Sequence, residues 1–124
     1  MLFRSAKALE SGAVMVNDVS GLRHDPMMAR VIARYGAAVI IMHMKGSPLN
    51  MQKRPFYRDL IGELTAYFKK CIAVARFAGI PEDDIIVDPG IGFGKTVEHN
   101  LEILRRHGEF KVLGKTICVG TSRK

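Results

Sequence analysis

Residues 84–95, Asp-Ile-Ile-Val-Asp-Pro-Gly-Ile-Gly-Phe-Gly-Lys, decide which fold this chain is expected to adopt. The apolar run at 85–87 predicts a strand that is buried on both faces, as in a parallel sheet. The strand ends at a carboxylate, Asp88, and Pro89-Gly90 then breaks the chain into a glycine-rich loop. Parallel α/β folds carry their chemistry at the carboxyl ends of their strands. The segment therefore predicts a ligand site as well as a strand.

Predicted helices and short apolar strands alternate along the rest of the chain. Short strands separated by helices indicate βαβ units and a parallel sheet, here in a single domain covering residues 1–124. Polar or glycine-rich residues follow every strand, which favours a (β/α) barrel over a Rossmann sheet. The glycines of the loop also lack dinucleotide-binding spacing. Strands are expected at 14–16, 38–42, 85–87 and 116–119, and helices at 3–11, 26–34, 58–78 and 97–106.

The length of the chain limits how much of a barrel it can form. A closed eight-stranded barrel takes about 250 residues, whereas this chain has 124. Four strands are half of such a barrel. The sequence therefore predicts an α/β fold that is either a small open domain or part of a (β/α)₈ TIM barrel.

Composition and charge exclude several classes of protein. Hydrophobic residues make up 48% of the chain, which is typical of a globular protein, and no apolar run reaches the roughly 18 residues of a membrane span. We expect a cytoplasmic protein without a membrane partner. The net charge of +7 is scattered, so an anionic small molecule or simple solubility accounts for it without a nucleic acid. Cys71 and Cys118 are expected to be two buried thiols in a reducing compartment.

Three strand ends carry polar side chains that could bind a ligand. The carboxylate of Asp88 can accept two parallel N–H donors from a heterocycle, or its own turn can satisfy it. The amide of Asn17 suits a heteroaromatic edge, although an Asn at a strand end is also ordinary turn chemistry. Arg123 and Lys124 follow the last predicted strand, where they could reach a carbonyl or phosphate group or could simply be solvated.

Two apolar side chains could complete such a site. Phe93 lies among glycines and could wall a pocket for a planar ring, or it could plug the mouth of a barrel. Met42 ends its strand and could do either as well. The four histidines have no metal-ligand spacing, and His43 is expected to be structural. From the residues alone we predict a site for a planar ligand or an anion on a parallel α/β scaffold.

Four segments of the chain resemble the dihydropteroate synthase family, in the family's order and with about its separations. The second and fourth segments are the most specific. Together they cover nearly the whole chain and comprise Val16-Asn17-Asp18-Val19-Ser20-Gly21, Met42-His43-Met44-Lys45-Gly46-Ser47-Pro48, Asp88-Pro89-Gly90-Ile91-Gly92-Phe93-Gly94-Lys95 and Gly120-Thr121-Ser122-Arg123-Lys124.

The resemblance implies a (β/α)₈ barrel that joins p-aminobenzoate to 6-hydroxymethyl-7,8-dihydropterin diphosphate and releases pyrophosphate. It implies that Asn17 and Asp88 hold the pterin edge and that Met42 lines the pterin pocket. Lys124 would hydrogen-bond the pterin and, with Asp88, act in catalysis. The p-aminobenzoate site would lie beside Lys124. Phe93, Ser122 and Arg123 would surround that second site, and Gly92 would be a further substrate-binding residue.

The resemblance also implies features outside these segments. Family members use Mg²⁺, whose ligands are not found in this chain, and the full-length parent is expected to be a homodimer. The family's Asn-containing first loop, its mobile second loop and its Arg-x-His diphosphate clamp are not found here either. We therefore expect the 124-residue chain to form no pteroate by itself. The alternatives are a pterin-binding methyltransferase domain and a non-catalytic remnant that associates with itself.

Overall fold

The computed structural model describes residues 7–12, 14–18, 27–44 and 57–120. They form one four-stranded parallel sheet, in which each strand pairs with the next strand along the chain. The strands are β1 (Met15–Asp18), β2 (Ala38–Met42), β3 (Ile85–Asp88) and β4 (Thr116–Ile117), and the helices are α1 (Met28–Arg34), α2 (Leu60–Phe77) and α3 (Val97–Arg106). Residues 7–10 are also helical, and Glu82–Asp84 and His107–Leu113 form 3-10 turns.

The strand order distinguishes a barrel-type sheet from a Rossmann-type sheet. In a doubly wound sheet the order reverses at a switch point, so that helices cover both faces. Here the order β1-β2-β3-β4 never reverses, and right-handed crossovers then place all of the connecting helices on one face. The predicted α/β fold with about four parallel strands alternating with helices is confirmed. The order of its strands is the order found in a segment of a barrel.

The predicted bounds of the elements agree with the structure to different degrees. β2 and α3 begin and end at the predicted residues. β4 is shorter than predicted, with two residues, and the 3-10 turn at His107–Leu113 was not predicted. The turn ends at Gly114, whose φ of 64° lies in the left-handed region that favours glycine.

The hydrophobic core lies between the sheet and its helices. The side chains of Val39, Ile41 and Val87 point from the sheet toward α2 and are fully buried. Phe68 of α2 contacts Phe110 edge to face, with ring centroids 6.0 Å apart, and Phe110 lies in the 3-10 turn His107–Leu113 that follows α3. Aromatic and β-branched side chains thus fill this layer, as is usual behind a parallel sheet. None of the helices in the described ranges is long and apolar enough to cross a membrane.

The opposite face of the sheet is less covered. Asn17 of β1 pairs in register with Ile40, which pairs with Ile86, and Ile86 pairs with Thr116. Paired residues of neighbouring strands point to the same face. Within this row Asn17 and Thr116 are exposed, and the two isoleucines are half-buried. In a barrel this face lines the interior, so the row marks the side on which a barrel would close.

The two cysteines differ in burial, which corrects one prediction. Both are free thiols, but only Cys71, on α2, is buried; Cys118 is half-buried. Cys118 follows β4, which is an edge of the sheet among the described residues, so one side of it has no neighbouring strand. The prediction of two buried thiols is therefore wrong for Cys118.

Candidate functional site

Asn17, Met42 and Asp88 share one face of the sheet near the carboxyl ends of the strands. Met42 and Asp88 pair in register across β2 and β3, and both are buried. Asn17 pairs with Ile40, two residues before Met42, and therefore lies one layer closer to the amino ends. Its side chain is exposed. Asn17 and Asp88 are 71 positions apart in the sequence, yet the parallel register brings them to the same surface. Together with Met42 they give this surface an amide, a thioether and a carboxylate group.

The two oxygens of the Asp88 carboxylate have different surroundings. Oδ1 accepts a hydrogen bond from the backbone N–H of Gly90 at 2.8 Å, so the turn does satisfy one oxygen. Within the described residues Oδ2 has no hydrogen-bond donor. Burial raises the pKa of the Asp88 carboxyl, against the opposing effects of the Gly90 hydrogen bond and the positive charge of Lys95. The side chain is thus anchored by one oxygen and presents the other.

The loop after β3 approaches the end of β2 very closely. Gly90 has a φ of 73°, and a Cβ added there would lie 2.0 Å from the backbone oxygen of His43. Only glycine fits this contact. Further along, the N–H of Gly92 donates to Asn100 Oδ1 at 3.0 Å, and the N–H of Phe93 donates to Gly90 O at 3.0 Å. The loop therefore places the half-buried Phe93 in a tight turn beside Asp88.

Lys95 lies at the end of this loop, and no role was predicted for it from the sequence. Its side chain is 3% exposed. Nζ donates to the carbonyl oxygens of His43 at 3.3 Å, Gly90 at 3.0 Å and Phe93 at 2.9 Å. Burial lowers the pKa of Lys95 to about 7, although the Asp88 carboxylate opposes the shift. The signal in the sequence was a lysine after three alternating glycines, which does not reveal that its amine turns inward.

A group of aromatic rings supports the same strand ends. Tyr67 of α2 donates to Met42 O at 3.0 Å, and Tyr57 donates to Gly94 O at 2.8 Å. His43 is buried with its ring edge against Tyr67, at 4.8 Å between centroids, which supports the structural role predicted for it. Burial, and to a lesser extent the charge of Glu63, raises the pKa of Tyr57 to about 12. The Tyr57 hydroxyl thus remains a hydrogen-bond donor at neutral pH.

Three predicted site residues and the predicted metal cannot be placed in this arrangement. Ser122, Arg123 and Lys124 lie outside the described residues, so the catalytic role of Lys124 stays a prediction. The described residues contain no group of three His, Cys, Asp or Glu side chains that could hold a metal ion. The described residues therefore do not fit Mg²⁺.

The fold and this arrangement together define a class of protein. A singly wound parallel α/β sheet presents a buried carboxylate, an amide and a thioether at its strand ends, with an aromatic residue in the adjoining loop. Such surfaces bind small planar ligands that carry N–H donors. The family described as pterin binding enzyme matches residues 5–124. The chain belongs to this family.

Individual relatives are dihydropteroate synthases. The chain is 46% identical over 118 residues to the dihydropteroate synthase of Synechocystis, covering 95% of the chain and 41% of that protein. Among solved structures, the Clostridium difficile dihydropteroate synthase determined in the presence of pteroic acid superposes with a TM-score of 0.89 at 43% identity. The superposition covers the whole of this chain and 45% of the Clostridium chain. The chain therefore spans less than half the length of these relatives.

Two structures of the Thermus thermophilus dihydropteroate synthase are similar to this chain at nearly the same sequence identity. Its complex with 6HMPPP superposes with a TM-score of 0.93 and its complex with 4-aminobenzoate with a TM-score of 0.92, both at 42% identity. Each comparison covers the whole of this chain and about half of the Thermus chain, 49% and 50% respectively. The resemblance inferred from the four sequence segments is thus confirmed at the level of the family and its fold.

Proposed function

We propose that this chain is the pterin-binding part of a dihydropteroate synthase of folate biosynthesis. The single observation that carries the proposal is the free oxygen of Asp88: a buried carboxylate that its own turn holds by Oδ1 only. A carboxylate with one oxygen presented to a pocket is suited to the N–H groups on the edge of a pterin. The complexes of the Thermus thermophilus relative with 6HMPPP and 4-aminobenzoate support the choice of substrates.

The reaction joins two small molecules and expels a third. The bond between the pterin methylene and the diphosphate oxygen breaks, and pyrophosphate leaves with the bonding electrons. The aniline nitrogen of p-aminobenzoate then forms a bond to the methylene carbon and loses a proton. Positive charge develops on the pterin as the leaving group departs.

Asp88 and Asn17 would act on this charge. With Asp88 ionised, its carboxylate would hold the pterin edge and stabilise the cation more strongly than in water, because the side chain is buried. The exposed amide of Asn17, one layer below, would bind a neighbouring part of the same edge. Met42 would pack against the pterin ring. Because both reactants would be bound side by side, the aniline nitrogen would be held close to the methylene carbon and would not have to meet it by diffusion.

The remaining substrate contacts are proposed around the loop after β3. Gly92 and Phe93 would border the p-aminobenzoate site, with Ser122, Arg123 and Lys124 completing it. Gly92 is suited to this place because a Cβ added there would meet no atom within 4 Å, so the loop is open on that side. Any Mg²⁺ that acts on the diphosphate would be held outside the described residues.

The proposal also concerns the partners and location of the longer protein. We place it in the cytoplasm and expect its substrates to be small molecules, with no nucleic-acid or membrane partner. The parent is proposed to be a homodimer. This is supported by the apolar side chains of Val97, Leu101 and Leu104, which recur at i, i+4 and i+7 on α3 and are 74%, 57% and 41% exposed.

Calorimetric titration of the chain with 6-hydroxymethylpterin tests the pterin site. We expect Asp88→Ala to weaken binding roughly ten- to a hundredfold, the loss typical of hydrogen bonds to a charged group. Asp83→Ala is the matched control, because Asp83 lies exposed in the 3-10 turn before β3. It should bind like the unmodified chain. Absence of binding by the folded, unmodified protein would contradict a pterin site built from these residues.

A further inference from the structure

Lys95 is a buried cation that contacts both halves of the candidate site. Its three hydrogen-bond acceptors come from two separate segments: His43 O follows β2, and Gly90 O and Phe93 O lie in the loop after β3. β2 and β3 carry Met42 and Asp88, the paired residues of the site. The side chain therefore joins the two strand ends at the level of the paired residues Met42 and Asp88.

The number of acceptors matches the charged form of the side chain. An ammonium group has three hydrogens, whereas a neutral amine has two. All three acceptors are backbone carbonyls within 3.3 Å, so only the ammonium form donates to each of them. A buried ammonium is costly unless other groups compensate it. Here three carbonyl dipoles do so. Lys95 and Asp88 also bind the backbone of the same residue, because Gly90 donates its N–H to Asp88 Oδ1 at 2.8 Å and its carbonyl accepts from Lys95 Nζ at 3.0 Å.

The same contacts fix the loop that contains Phe93. Gly90 approaches His43 O so closely that the loop has no room to slide toward β2, and Lys95 Nζ donates to the carbonyl oxygens of both residues. The backbone of Phe93 is hydrogen-bonded through both of its polar groups: its N–H donates to Gly90 O, and its carbonyl accepts from Lys95 Nζ. Lys95 thus holds the backbone that carries the Phe93 ring.

We propose that Lys95 is a positioning residue of this site, which keeps the Asp88 carboxylate charged and holds Phe93 in its binding position. It acts through these two residues rather than by touching the ligand. The inference rests on the proposed function for the identity of the ligand. The effect on Asp88 does not depend on any ligand.

The charge effect is tested by an NMR titration of the Asp88 carboxyl carbon in the chain itself. Lys95→Met removes the charge and the donors but keeps an apolar stem of similar length. We expect the pKa of Asp88 to rise in this variant and to stay at the wild-type value in Lys95→Arg, which retains a cation. Lys70→Met, at an exposed position on α2, is the control and should change nothing.

A second readout in the unmodified protein covers the case in which Lys95→Met does not fold. The Asp88 carbon should show a smaller second inflection that follows the titration of the Lys95 Cε signal, and Lys95→Arg should abolish it. Among the described residues, the rings of His43, Tyr57 and His99 pack together beside this loop, so their signals are followed in parallel. An Asp88 carboxyl that does not respond to Lys95, in either measurement, would overturn the proposal.

Pterin binding separates this inference from the proposed function. We expect Lys95→Met to weaken the binding of 6-hydroxymethylpterin about tenfold and Lys95→Arg to restore most of the loss. If the unmodified chain binds no pterin while Asp88 still responds to Lys95, the proposed function fails and the positioning role stands. If the chain binds pterin with equal affinity in all of the variants, the positioning role is wrong and the pterin site stands.

Discussion

At the scale of single residues, the site depends on how tightly the loop after β3 is packed. Gly90 and Gly92 both have positive φ, of 73° and 86°. They differ in their surroundings, because a Cβ at Gly90 would collide with the backbone oxygen of His43, whereas a Cβ at Gly92 would meet nothing within 4 Å. The two positions therefore separate the cost of backbone conformation from the cost of close packing.

Alanine substitutions at these two glycines should have clearly different effects on stability. Gly92→Ala should lower the free energy of unfolding by about 1–2 kcal/mol, the cost of a left-handed conformation for a residue with a Cβ. Gly90→Ala should cost more than that, because the loop must also move away from β2. Chemical denaturation monitored by circular dichroism measures both. Equal losses would show that the contact with His43 is not tight in solution.

Sequence reasoning reached some residues of this site and missed another for a physical reason. Asp88 and Met42 were predictable because a parallel strand delivers its last residues to the ligand-binding edge. The burial of Lys95 depends on carbonyls from residues 90, 93 and 43, and the last of these is 52 positions away. No local pattern shows that a lysine will turn inward toward such a partner.

At the scale of secondary-structure elements, α2 is the main support of the site. Its Tyr67 donates to the carbonyl of Met42. Its buried face packs on β3 and on the 3-10 turn His107–Leu113. The helix begins at an N-cap, Asp59, whose side chain accepts from the N–H of Gly62 at 3.2 Å. Glu63 in turn accepts from the N–H of Asp59 at 3.1 Å. The start of the helix is therefore fixed by two reciprocal hydrogen bonds.

Removing this cap should destabilise the chain without affecting the chemistry of the site. Asp59→Ala should lower the free energy of unfolding by about 1 kcal/mol, the usual cost of losing an N-cap side chain. Asp59→Asn retains an acceptor and should recover most of the loss. Urea denaturation gives the two values. A destabilisation by Asp59→Asn as large as that by Asp59→Ala would indicate that charge, and not capping, is what matters at this position.

The elements differ in how far sequence determines them. α3 has the predicted bounds, and in the structure Thr96 and His99 form a reciprocal capping box at its start, with bonds of 3.2 Å and 2.9 Å. β4 was predicted too long because strand length depends on the partner strand, and β4 has only β3 beside it among the described residues. Local signals thus fix helix ends well, whereas edge strands depend on distant contacts.

At the scale of the whole molecule, two of the apolar regions that the described residues leave uncovered are candidates for contact with another chain. One is the less covered face of the sheet, with Ile40 and Ile86. The other is the stripe on α3 formed by Val97, Leu101 and Leu104. Exposed apolar surface and unpaired strand edges both favour association.

The chain is therefore expected to form dimers in a concentration-dependent manner. Sedimentation velocity over a range of concentrations measures this directly. Leu101→Lys should shift the equilibrium toward monomer if the α3 stripe is the contact. Glu98→Gln, at an exposed position of the same helix, makes the chain more positive by the same single unit and should leave the equilibrium unchanged. A monomer at all concentrations would contradict both the stripe and the open face as sites of association.

The unreversed strand order also has a consequence for how the protein folds. Each strand pairs with the strand made just before it, so every pairing closes a loop of only one βα unit. The entropy lost on closing a loop grows slowly with its length, and none of these closures needs a segment that is synthesised much later. The sheet can thus grow in the order in which the ribosome delivers its strands, one unit at a time.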